Sequence, residues 1–168
     1  MLLDAGGVNT VYDSGGTNTL YGNGGIDTLV TSEGTNTYVA STSAGGSADI
    51  QGSGHVTLDF TPNLSSLSLD LRIRGQAQAV DYHDWTVKLA TSLYVDNVID
   101  GQGAFSLYGD SSGATLTACP TEGAGGGLDL YDNGGTNVLY GGAGQGRTSC
   151  TATPNYKATI PSTRRSAG

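Results

Sequence analysis

The stretch that decides the fold reads DAGGVNTVY (4–12), DSGGTNTLY (13–21), GNGGIDTLV (22–30) and TSEGTNTYV (31–39). Four units of nine residues follow one another without a gap. A fixed period of this kind means one small structural unit stacked on itself, since a unit this short cannot bury its apolar side chain alone. The apolar residue recurs at Val11, Leu20, Leu29 and Tyr38. A helix face would need apolar residues three and four apart instead. Each unit therefore reads as one short strand and one turn. The strand is Thr10-Val11-Tyr12, Thr19-Leu20-Tyr21 or Thr28-Leu29-Val30, residue types that suit a pleated surface. Its middle residue is expected to point inward and its neighbours outward. The turn is the glycine part, Gly6-Gly7, Gly15-Gly16 and Gly24-Gly25, where tight backbone angles are available at low cost.

Beyond Val39 the beat is lost from Ala40 to Ser53, and alternation takes over. Val56, Leu58 and Phe60 share one side, as do Leu67, Leu69, Leu71 and Ile73, which predicts strands with one buried face. Further core is expected at Val87, Leu89, Leu93 and Val95, in a segment that also holds the single tryptophan, Trp85. The nine-residue spacing returns between Leu107 and Leu116 and between Leu130 and Leu139, with an insertion near Cys119-Pro120-Thr121. The expected organisation is a first repeat block over 1–48, an irregular β-rich segment over 49–98, a degenerate repeat block over 99–146 and a tail over 147–168. The tail carries four of the seven basic residues, Arg147, Lys157, Arg164 and Arg165, and no apolar period. It reads as mobile. The fold class is all-β: a parallel β-roll or β-solenoid of nine-residue repeats, interrupted by a longer-stranded central segment.

Composition narrows the function. Glycine numbers 28 of 168 residues and proline only 4, which fits turns between strands. The net charge of −8 leaves no basic stripe for nucleic acid. Residues 1–71 hold no Lys or Arg and seven acids: Asp4, Asp13, Asp27, Glu33, Asp49, Asp59 and Asp70. Such a surface is soluble or cation-binding. No run approaches the ~18 apolar residues of a membrane helix. Met1-Leu2-Leu3-Asp4 leads straight into the repeat with no signal peptide, so the chain reads as a fragment of a longer array. Cys119 and Cys150 make no metal motif.

The nonapeptide blocks resemble the RTX (hemolysin-type calcium-binding) repeat family, whose pattern is G-G-x-G-x-D-x-apolar-x. GNGGIDTLV (22–30) and GGTNVLYGGAGQG (134–146) carry the resemblance best. It implies a parallel β-roll with calcium between the turns, in a non-catalytic module of a secreted bacterial protein. The sixth-position carboxylate of the family, with glycine-turn carbonyls, holds the ion. Carried over residue by residue, the implied ligands are Asp27, with Asn9, Asn18, Asn36 and Asn137 at the same place in their units. Asp4 and Asp13, at the first position, add charge. Amides keep an oxygen and lose the charge that calcium favours, so weak or partial binding is expected. A metal-free alternative is an amide ladder along the stack.

The remaining candidates are weaker. His83-Asp84-Trp85 and His55 lack a nucleophile elbow or zinc spacing, so no catalysis is expected within the chain. Two surface rows are expected to face outward. Tyr12, Tyr21 and Tyr140 form an aromatic one, suited to cross-turn packing or to a glycan. Thr10, Thr19, Thr28 and Thr37 form a hydroxyl one, suited to ice. Alternative roles are thus a C-terminal secretion or stability appendage of an extracellular hydrolase or polysaccharide-modifying enzyme, or a carbohydrate- or ice-binding adhesin segment. The expected partners are calcium ions, a cell-surface glycan and neighbouring repeats of a longer chain.

Overall fold

The computed structural model describes residues 2–3, 6–22, 24–40, 45–62, 66–81, 84–99, 101, 105–117, 128–131, 138–140, 148–151 and 157–159. These hold seventeen strands, numbered in chain order, in stacked parallel sheets with a β-roll-like arrangement. The first sheet runs β1 (Leu2–Leu3), β3 (Thr17–Gly22), β5 (Thr35–Ala40), β7 (His55–Asp59), β11 (Tyr94–Ile99), β13 (Thr115–Thr117), β15 (Val138–Tyr140) and β17 (Lys157–Thr159). The second runs β2 (Val8–Asp13), β4 (Gly25–Thr31), β6 (Gly46–Gly52), β10 (Thr86–Leu89) and β9 (Ala77–Ala79). The third runs β16 (Thr148–Thr151), β14 (Leu128–Tyr131), β12 (Phe105–Tyr108) and β8 (Leu67–Asp70).

Successive nine-residue units alternate between sheets. Val8 pairs with Ile26 and Thr17 with Thr35, a step of eighteen residues in each case. One turn of the coil therefore takes two units, one on each side. Strand side chains alternate, so positions six and eight of a unit both point inward. Asp27, Leu29, Asn36 and Tyr38 are buried accordingly, and Tyr12 is 79% exposed. Close stacking depends on glycine at the unit boundaries. Gly25 has φ +104°, and a Cβ there would overlap the carbonyl oxygen of Gly7 one coil below.

The alternation splits both expected surface rows between two sheets. Thr10 and Thr28 sit in register on β2 and β4, whereas Thr19 and Thr37 sit on β3 and β5 of the first sheet. Tyr12 is likewise on β2, apart from Tyr21 on β3 and Tyr140 on β15. A nine-residue period counts half a coil, so neighbouring units face opposite ways.

Between β7 and β11 the chain adds three strands where other coils have one. β10 stacks in parallel on β6, and β9 turns back antiparallel on β10. β8 then opens the third sheet against β12. The gap between β9 and β8 is closed by one side chain. The amide of Gln78, 8% exposed, accepts from Asp70 N–H at 2.8 Å and donates to Asp70 C=O at 2.9 Å. It copies a peptide group, satisfying backbone atoms whose burial unpaired would be costly. Ser68 N–H donates to Val80 C=O beside it. The largest core side chains gather here. Trp85 and Phe60 meet edge to face at 6.2 Å and are almost wholly buried. Leu67, Leu69, Leu71, Val87, Leu89, Leu93 and Val95 complete this core, as the alternation predicts. Ile73 departs from it and is 37% exposed, because the chain has left β8 for a turn.

Candidate functional site: the first two coils

The described candidate ligands lie in two columns. Asn9 and Asp27 are register partners on β2 and β4, and Asn18 and Asn36 on β3 and β5. Asp13 ends β2. Asp4 and Asn137 lie outside the described residues.

Each side chain has a different fate. Asn9 Nδ2 donates to the carbonyl of Gly6 at 3.3 Å, and Asn18 Nδ2 to that of Gly15 at 3.4 Å. Both reach back three residues into their own turn, the local pattern short polar side chains favour. Asn18 also donates to Asp13 Oδ1 at 2.9 Å, which accepts from Gly15 N–H as well. Asp27 is 6% exposed, and its Oδ2 accepts from the Tyr38 hydroxyl at 3.0 Å. Tyr38 occupies an apolar position of the repeat on the other sheet, so its ring fills core while its hydroxyl crosses to the carboxylate. Gly22 makes this contact feasible, because a Cβ there would overlap the Tyr38 hydroxyl.

Asn36 differs. It is 2% exposed, and neither Nδ2 nor Oδ1 has a hydrogen-bond partner. No Asn18–Asn36 bond forms, so the amide ladder is absent from this pair. The i−3 carbonyl outcompetes the neighbouring coil for Asn18 because both ends of that bond belong to one turn. The Oδ2 of Asp13 is also buried without a partner. Asn36 and Asp13 line one cleft of about 290 Å³ together with Asn18, Thr19 and Thr37, over an apolar floor of Val11, Leu20 and Leu29 and beside Tyr12. The cleft lies at the first coils, where β2 is the terminal strand of its sheet.

These contacts test the implied calcium. In an Asp-based turn, carboxylate and glycine carbonyl both present oxygen and need a cation between them. Here Asn9 and Asn18 place an N–H against that carbonyl, and Asp27 is engaged by a phenol. Among the described residues, no three His, Cys, Asp or Glu side chains gather as a metal cluster. The described donor set does not fit a resident calcium in the arrangement the resemblance implies.

Several other polar side chains on the coil are paired. His55 Nδ1 lies 2.8 Å from Asp96 Oδ1, and its ring stacks on Tyr94 at 5.2 Å. His83 lies outside the described residues, and Asp84 occupies a loop with φ 61°. Arg72 donates to both oxygens of Asp70 and covers the Tyr108 ring at 5.4 Å. These side-chain hydrogen bonds hold the Asp70 carboxyl below its usual range, against the opposing effect of burial, and they raise Arg72. Tyr108 stacks face to face on Tyr131 at 4.4 Å, so those faces are turned to each other. Among the described residues no helix is long and apolar enough to cross a membrane.

Sequence reasoning placed Asn36 and Asp13 among the candidates but missed their convergence with Leu20, Leu29 and Tyr12. No signal in a single unit could show it, since the cleft draws on four strands, β2 to β5. Comparison with protein-family models, with curated proteins and with solved structures finds no match.

Proposed function

We propose that the chain is a non-catalytic β-roll module, built of nine-residue repeats with a longer-stranded central segment, in a secreted bacterial protein. Its work is structural: it stacks into a coil that spaces or supports neighbouring parts of a longer chain. Since the described ligands do not fit a resident calcium, the ion is at most a weak and partial stabiliser in this reading. The observation that carries it is the pair of amide-to-carbonyl bonds, Asn9 to Gly6 and Asn18 to Gly15. They satisfy internally the turn carbonyls that an Asp-based repeat would leave to an ion, so the coil closes without one.

The test is circular dichroism with thermal melting of the intact chain, in excess calcium and in chelator. The strand signal is expected in both, with the melting midpoint only a few degrees higher in calcium. A coil that collapses in chelator and returns with calcium would overturn this reading.

A further inference from the structure

We propose that the cleft of the first coils is a binding pocket for a polyhydroxylated ring, by chemistry a single pyranose unit. This goes beyond the scaffold reading and does not depend on calcium. Three buried atoms in the cleft are unmatched: the donor Nδ2 and acceptor Oδ1 of Asn36, and the acceptor Oδ2 of Asp13. A buried polar group left unsatisfied is disfavoured strongly enough that native structures rarely keep one without cause. The ligand must therefore both give and take hydrogen bonds. A cation answers the two oxygens and leaves the Asn36 N–H unmet. A hydroxyl both donates and accepts, and adjacent hydroxyls on one ring can meet both ends of an amide.

The rest of the cleft suits the same ligand. Leu20 and Leu29 form an apolar floor, and Tyr12 is 79% exposed beside it. Such surfaces take the C–H face of a sugar ring. A volume of about 290 Å³ lies at the lower end of small-molecule pockets, about 300–1,000 Å³. That size indicates one ring. Asp13 lines the cleft with its Oδ1 tied to Asn18 Nδ2 and Gly15 N–H, which leaves Oδ2 as its unmatched acceptor.

The experiment is saturation-transfer NMR on the intact chain with the methyl pyranosides of glucose, galactose and mannose, with the Tyr12 ring resonances as a second readout. Saturable binding of at least one is expected, with matching shifts at Tyr12. Asn36→Leu should weaken it by about tenfold or more while the melting midpoint holds or rises, because an unmatched amide has been removed. Tyr12→Ala, at an exposed position, should weaken binding several-fold in a folded protein, and it decides the matter if Asn36→Leu does not fold. No saturable binding to any of the three, or undiminished binding in the folded variants, overturns the proposal. So does calcium chloride alone producing the same Tyr12 shifts and excluding the sugar.

Discussion

The first two coils and the inserted segment hold together by different means. In the first coils the contacts that close the turns are short in sequence: Asn9 to Gly6, Asn18 to Gly15, and Asp13 to Gly15 N–H. The core there is one side chain deep, with Leu20, Leu29 and Tyr38. In the inserted segment the contacts reach farther along the chain. Gln78 meets Asp70, Trp85 meets Phe60, and Arg74 pairs with Asp110 at 2.5 Å. Repetition lets a coil be written in local rules that need no knowledge of the next coil. An interruption has no such rule and relies on bulk and on one well-placed amide.

Four substitutions or conditions probe this difference. Trp85→Ala should cost the most, about 3–5 kcal/mol by chemical denaturation, since it empties the largest buried site. A loss as small as that of a surface change would mean that the insertion does not need its bulk. Gln78→Ala leaves the Asp70 N–H and C=O without their partner, and about 1–3 kcal/mol should be lost. Hydrogen exchange should then quicken at Asp70 and Gln78 before the first coils, and uniform quickening would show the two regions to be one cooperative unit. Asn18→Asp replaces an N–H donor by a carboxylate facing Gly15 C=O and Asp13. A loss of about 1 kcal/mol is expected in chelator, partly recovered with calcium. Recovery in the wild type of equal size would erase the distinction between amide-closed and ion-closed turns.

The smallest effect concerns pH. The Asp70 carboxyl titrates lower in the folded chain than in the unfolded one, chiefly through its hydrogen bonds to Arg72. The pair therefore contributes stability above the unfolded carboxylate range, and loses it as pH falls through the folded value. Arg72 is half exposed, so solvent screening keeps the contribution under about 1 kcal/mol. Melting midpoints of Asp70→Asn and the wild type should differ at neutral pH and converge in acid.

Much of the strand pattern could be read from single residues. Leu20, Leu29 and Tyr38 are buried, and so are Val56, Leu58 and Phe60, because alternation is a local consequence of the pleat. What was hidden is parity. Units ending in Tyr12 and Tyr21 look alike in sequence and face opposite sides, since nothing within nine residues tells which sheet a unit joins. The choice of Asn18 for Gly15 over Asn36 was also hidden, because a sixth-position amide has two acceptors at similar reach. Gln78 carries no signal at all in Ala77-Gln78-Ala79, since its role exists only once β8 lies beside it. The cleft was invisible for the same reason: Asp13 and Asn36 are more than two units apart in sequence.

The inserted strands have one more consequence. From β5 through β7 to β11 the first sheet runs on unbroken, whereas the opposite side ends one sheet at β9 and begins another at β8. The coils before the insertion and those after it therefore share a continuous ladder of backbone pairing on one side only. On the other side they communicate through the Gln78 amide and one loop hydrogen bond. The insertion is a splice, at which one wall of the column passes from one sheet to the next while the opposite wall carries the stack across.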